Sequence, residues 1–232
     1  MRNQFIVLGL AWAASTGAFG AQMVTNQALG YRISFPDGWT VIQDKDDPAA
    51  VAGILAGAKG NPLCVVAAER QPRVPGRTQA QINDEMRAPL GKDEVLASLT
   101  AAFKDPAVMS SESRMHPSGL QIRESVVSYT DMQSGDAVML KVSAMNAIEA
   151  SYAIACGAER TEFAKHVPAF GSIVESFAPG PGPVADANPL PGALTQPVAA
   201  RVRNEESRER ISAGALAFSK ARSVASQGAK RQ

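Results

Sequence analysis

No apolar run in the chain is long enough to cross a bilayer as a helix, which takes about 20 residues; Phe5 to Ala14 is the longest and reaches about ten. Histidine is nearly absent, with two in 232 residues. His116 falls in the turn-forming Met115-His116-Pro117-Ser118-Gly119 and His166 in a helical stretch, and neither has a second ligand at metal spacing. Both read as exposed polar residues. Gly-x-Ser-x-Gly, the P-loop pattern and Gly-x-Gly-x-x-Gly are missing too. The sequence therefore nominates no catalytic residue, no cofactor site and no metal site. Asp44-Lys45-Asp46-Asp47 is acidic but lacks the Gly and distal Glu of an EF-hand loop, so it reads as a solvated turn. Ser172 and Ser176 share helical periodicity with His166, and no motif supplies a base or an oxyanion hole. A hydrolase is the enzyme alternative, held behind a binding role.

Cysteine is equally sparse, and its context makes it interpretable. The first twenty residues carry Arg2, then the short apolar run, then small and polar residues, the layout of a secretory signal peptide over residues 1–20. Cleavage is expected after Ala18-Phe19-Gly20 or Ala21, and no nearby cysteine could receive a lipid. The mature chain is expected to be soluble and periplasmic or secreted. In such an oxidising compartment disulfides persist. Cys64 and Cys156 lie in strand-like segments, and a bond between them would close a long loop, worth on the order of 4 kcal/mol. Two separately buried thiols are the alternative. A redox pair is disfavoured, because the spacing is not Cys-x-x-Cys.

What is present organises the chain. Residues 22–178 have the apolar content of one globular domain, enough to bury roughly 70 % of the surface its unfolded chain exposes. Residues 179–198, opening Pro179-Gly180-Pro181-Gly182-Pro183, form a Pro/Gly-rich linker, since proline lacks the amide donor and glycine adds entropy to lose. Residues 199–232 form a basic, partly helical tail. The net charge of +1 hides this: Arg201 to Gln232 carries eight Arg and Lys against three Glu, a net of +5, leaving −4 elsewhere.

Strands are expected at Tyr31–Phe35, Trp39–Gln43, Leu63–Glu69, Leu120–Tyr129, Ala137–Met145 and Ile148–Ala155, with alternation that fits a sheet with one solvated face. Gln133-Ser134-Gly135-Asp136 supplies a turn. Thr78 and Gln81 form a capping box for a helix carrying Ile82 and Met86. A second helix carries Val95, Leu96, Leu99 and Phe103. The last runs from about Thr161 to Ser176 with Phe163, Val167, Phe170, Ile173, Val174 and Phe177 on one side, and Pro168 should kink or divide it. The fold class is α+β, an antiparallel β-sheet flanked by helices in an α/β/α sandwich.

The clearest local signal is Tyr31-Arg32-Ile33-Ser34-Phe35-Pro36-Asp37-Gly38-Trp39-Thr40-Val41, read as a hairpin with Pro36 to Gly38 at its turn. Phe35, Pro36, Gly38 and Trp39 form its core. Together with the helix end Phe170-Gly171-Ser172-Ile173-Val174-Glu175-Ser176-Phe177, the stretch resembles the PsbP/Mog-like superfamily, which includes the DcrB-like bacterial envelope proteins. The resemblance spans about residues 28–178. It implies a sheet sandwiched by helices and a non-enzymatic role as a binding or assembly factor, with a protein partner in the cell envelope. A secreted virulence or secretion-system accessory is a further alternative.

The tail departs from that outline. Glu206 and Arg210 support a helix at i, i+4, with Ile211, Ala215 and Phe218 on one face and Lys220, Arg222, Lys230 and Arg231 at or beyond its end. The expectation is a frayed terminus; docking on an anionic membrane surface or an acidic partner is the alternative. No nucleic acid is expected for an exported chain.

Overall fold

The structure, a computed structural model, describes residues 21–43, 50–71, 74–100, 103–132 and 134–180, together with 214, 217, 218 and 222. The expected signal peptide, the Asp44 to Asp47 run and most of the linker and tail lie outside these residues.

Ten strands and three helices follow one another in the described chain. Strands β1 (Gln22–Asn26), β2 (Tyr31–Phe35), β3 (Thr40–Gln43), β4 (Ala50–Ile54) and β5 (Leu63–Arg70) precede helices α1 (Gln79–Met86) and α2 (Lys92–Leu99). Then come β6 (Lys104–Met115), β7 (Gln121–Thr130), β8 (Ala137–Asn146), β9 (Ala150–Glu159), helix α3 (Phe163–Glu175) and the short β10 (Ala178–Pro179). A three-stranded sheet has the order β1-β2-β10 and a seven-stranded sheet the order β3-β4-β5-β9-β8-β7-β6, and every pairing is antiparallel. The architecture is α+β.

The expected hairpin is not one. Pro36 to Gly38 does turn the chain, with Trp39 N–H donating to the Pro36 carbonyl at 3.3 Å and Gly38 at φ 84°. The turn hands the chain from β2 in the small sheet to β3 in the large one, so the two strands never pair. Turn chemistry is local, whereas the choice of partner strand depends on which apolar faces must be covered.

Two apolar layers explain why. On the inner face of the large sheet, Tyr152, Ile154 and Cys156 of β9 meet Tyr31, Ile33, Phe35 and Trp39, and α3 closes the layer with Phe163, Phe170, Ile173 and Val174. The rings interlock: Trp39 is edge-on to Phe170 at 6.3 Å and Tyr31 stacks on Phe177 at 6.0 Å. Val167 points to solvent rather than joining this face. Pro168 lies inside a single α3, so it does not divide the helix.

On the outer face, Val127, Val138, Leu140, Val142 and Ala155 pack with Val95 and Leu99 of α2 and with Phe103. The central strands are thus buried on both faces, against the expectation of one solvated face. Alternation survives there as apolar residues of different size, a pattern that hydropathy alone does not separate from exposure.

Local chemistry holds the helices. Thr78 caps α1, accepting from Gln81 N–H at 3.3 Å while the Gln81 side chain accepts from Thr78 N–H at 2.8 Å. At the other end, Arg123 donates to the carbonyls of Glu85, Met86 and Ala88, placing a cation where the helix dipole is negative. His116 is buried, not exposed. Its Nε2 lies 2.9 Å from the Val174 carbonyl and its Nδ1 2.8 Å from the Ser118 hydroxyl, tying the β6–β7 turn to α3.

Candidate functional site

The candidate site is the outer face of the large sheet where β5, β9 and β8 run side by side. Its residues are set by strand register. Val142 pairs with Ala155 and Leu140 with Gly157 across β8 and β9, and Val65 continues the row on β5 opposite Ala155. Large residues on β8 and small ones on β9 leave a shallow trough between them.

Four described residues of the tail lie over it. Gly214, Ala217, Phe218 and Arg222 are helical, and at i, i+4 and i+8 Gly214, Phe218 and Arg222 share one face. The contact is close because both sides lack bulk. A methyl group on Gly214 would lie 3.0 Å from Ala153 Cβ and 3.4 Å from Val142 Cγ1. Phe218 is fully buried within the outer apolar layer. Burying such a ring is worth roughly 1.5–3 kcal/mol.

Among the described residues of the tail, Arg222 makes the polar contact. Arg222 Nε lies 3.3 Å from Asp131 Oδ2, and its Nη2 lies 3.4 Å from Asp136 Oδ2. Both carboxylates belong to the β7–β8 turn, in which Gly135 takes φ 76° and Asp131 Oδ1 accepts from Ser134 N–H at 3.1 Å. Arg222 Nη1 and the Tyr129 hydroxyl are buried without a hydrogen-bond partner among the described residues. Burial accordingly pushes the Tyr129 phenol well up, against the pull of the Arg222 charge.

The sequence picked out Phe218 as apolar and Arg222 as basic, and placed both at a frayed end. The structure buries them on the domain, and the acidic groups that Arg222 meets are in the same chain. Asp131, Gly157 and Gly214 were not singled out, and Asp136 was named only as part of the turn between β7 and β8. The Gly-x-x-x-Phe-x-x-x-Arg spacing was the available signal, and it becomes informative only once a trough of small residues is known to exist. Ile211, Ala215, Lys220, Lys230 and Arg231 lie outside the described residues.

Other nominated residues occupy structural positions. Cys64 and Cys156 are directly opposed on β5 and β9, Cα atoms 4.0 Å apart, and form a disulfide. Phe35 and Trp39 are in the inner core, and Gly53 leaves room for the Phe35 ring. The Ser172 hydroxyl donates to the Pro168 carbonyl at 3.1 Å. The Ser176 hydroxyl accepts from Ser34 N–H at 2.9 Å, bridging the end of α3 to β2. His166 contacts the Lys59 carbonyl at 3.2 Å, so the structure does not bring these serines and this histidine into one constellation.

A charged cluster lies on the opposite face. The Glu124 carboxylate is buried between Arg114, Lys141 and the Ser143 hydroxyl, each at 2.9 Å. Burial alone would raise its pKa, but hydrogen bonds from Arg114, Lys141 and Ser143 outweigh it and hold the carboxyl below its ordinary range. Every oxygen is occupied, so the cluster stitches β6, β7 and β8 together rather than offering a free ligand position. Among the described residues no group of three or more His, Cys, Asp or Glu could hold a metal ion.

Comparison with known proteins gives likeness in outline. The chain is similar to a protein from Bacteroides thetaiotaomicron, at 8% identity and a TM-score of 0.44 over 69% of this chain. It spans 48% of that protein, about half its length. It is similar to LpqN of Mycobacterium tuberculosis, described as involved in cell envelope biogenesis, at 12% identity and a TM-score of 0.49, over 69% of this chain and 91% of that one. It is also similar to the cyanobacterial PsbP of Synechocystis, at 12% identity and a TM-score of 0.46, over 73% and 98%. No family model and no curated protein matches the sequence. The class of the fold therefore rests on the chain's own strand pairing.

Proposed function

We propose that this chain is an exported, non-enzymatic binding factor of the cell envelope, and that it works through protein contacts on the outer face of its large sheet. The observation that carries the reading is the trough over Val142, Ala153, Ala155 and Gly157, which seats helical residues at close range. A sheet face of small residues offers a helix contact area without specific polar demands. That is the chemistry of helix-in-groove recognition. Export is supported by the signal-like residues 1–20 and by the Cys64–Cys156 disulfide, which suits an oxidising compartment. The domain is taken as residues 22–178, followed by the linker 179–198 and the tail 199–232.

The reading is tested with a photo-crosslinking residue at Ile54, at the rim of this face, or at Met23 on the small sheet as a control. A covalent adduct formed in intact cells from position 54, absent from position 23 and competed by a peptide of residues 210–226, is the expected result. Adducts formed equally from both positions, or from neither, would overturn it.

A further inference from the structure

We infer that the free edge of β6 pairs with the same edge of a second copy of this chain, joining the two large sheets through antiparallel segments of residues 110–115 related by a two-fold axis at Ser113. The inference stands apart from the binding role proposed for the outer face. Among the described strands β6 ends the large sheet, with β7 as its neighbour on one side and none on the other. Edge strands are commonly protected from pairing by proline and by bulges. β6 concentrates such devices in its first half: Pro106, Asp105 at φ 50°, and register shifts between Lys104 and Ala107 and between Val108 and Ser110. From Ser110 to Met115 the register runs without a break, opposite Val126 to Gln121 of β7. Glu112 and Met115 in this stretch are exposed.

Hydrogen-bond alternation fixes which groups this edge offers. His116 N–H donates to the Leu120 carbonyl at 2.9 Å, and bonded pairs alternate along an antiparallel ladder. Arg114 and Glu112 therefore turn their main-chain groups to β7, whereas Ser111, Ser113 and Met115 turn theirs outward. The Ser111 and Ser113 side chains are drawn over the sheet face, their hydroxyls donating to the Leu90 and Met86 carbonyls at 2.8 Å and 2.7 Å. A two-fold axis at Ser113 sets Ser113 against Ser113 and Ser111 against Met115, each pair exchanging both main-chain bonds.

Charge order agrees with that alignment. It brings Glu112 opposite Arg114 of the second copy, twice over, in the non-bonded pairs whose Cα atoms are only about 4.5 Å apart. Within its own chain Glu112 stands opposite Glu124, like charge against like. Arg114 gives Nε to Glu124 and Nη2 to Glu175 while its side chain stays 35% exposed, so among the described residues Nη1 is left for a further carboxylate. Neighbouring alignments fail. An axis at Glu112 or at Arg114 opposes identical charges, one at Ser111 runs into the bulge between Val108 and Ser110, and one at Met115 meets Pro117, which has no N–H to give.

The test is sedimentation velocity on the full chain. The wild type should sediment as a dimer at about 100 μM. Glu112→Arg, which sets arginine against Arg114 in both pairs, should raise the dissociation constant at least tenfold. Met115→Pro, which removes an outward N–H where an edge strand tolerates proline, should do the same, both variants retaining a cooperative thermal transition. Should Met115→Pro fail to fold, the exposed Glu112→Arg decides. A wild-type monomer at this concentration would overturn the inference, and so would a dimer of unchanged strength in folded Glu112→Arg. The alignment itself is read with a photo-crosslinking residue at position 115 in a mixture of isotopically heavy and light chains. An adduct joining position 115 of one copy to residues 110–114 of the other is expected; adducts to any other segment, or none between copies, would overturn the pairing.

Discussion

The Phe218 ring ends where a side chain at residue 157 would begin. A methyl group on Gly157 would fall 2.8 Å from Phe218 Cζ, and also 2.6 Å from the Met139 carbonyl oxygen. One glycine therefore serves two contacts, the tail above it and the backbone of β8 beside it. Its replacement would disturb the sheet as well as the tail, so the docking contact is better probed from the other side.

Gly214→Val should release the tail without touching the sheet. The added methyl groups would crowd Ala153 and Val142 across the contact. Tryptic cleavage after Arg222 should accelerate at least tenfold, while the melting temperature falls less than for a core truncation. Unchanged cleavage would mean the tail tolerates the bulk and is held elsewhere.

Trp39→Ala should destabilise the domain by roughly 3–5 kcal/mol, the usual cost of removing a large buried ring. Trp39 is 3% exposed, between Phe35 and Phe170. Urea titration reads this directly. A midpoint within error of wild type would place the ring outside the core.

Replacing Cys64 and Cys156 together by alanine should cost about 4–5 kcal/mol in the chain-entropy model, since the bond spans 92 residues. The same shift should appear when the wild-type chain is unfolded in a strong reductant. Identical stability with and without reductant would show that the β5–β9 pairing needs no cross-link.

Acid should unfold the domain partly through Glu124. Its pKa is lowered in the folded state, so its contribution is fully present above the unfolded value of about 4.3 and is lost as pH falls through the folded value. Glu124→Gln should lower stability by about 2–4 kcal/mol at neutral pH and flatten the decline below pH ~4.3. A variant whose stability falls with acid as steeply as the wild type would assign the acid response to other carboxylates.

Legibility in the sequence followed a physical divide. Strands such as Tyr31–Phe35 and Ala137–Asn146 were readable because apolar residues recur with period two. Strand β6 was not. Lys104–Met115 is a sheet-edge strand of mostly polar residues with irregular register, so it carries no apolar alternation. Ala50–Ile54 was missed for another reason: it contains two alanines and Gly53, poor strand formers, and the absence of a side chain at Gly53 is what admits the Phe35 ring.

What the sequence determined by itself was chemistry acting over a few residues: the Thr78–Gln81 cap, the Pro36–Gly38 turn, the Gly135 turn and the capacity of two strand-borne cysteines to bond. These follow from dihedral preferences and near-neighbour hydrogen bonds, which the chain carries wherever it folds. Tertiary structure alone decided that β2 and β3 enter different sheets, that His116 is buried against Val174, and that Phe218 and Arg222 return to the trough over Ala155 and the carboxylates of Asp131 and Asp136. Those outcomes depend on which apolar faces remain uncovered once the sheet has formed, a property of the assembled layers rather than of any segment.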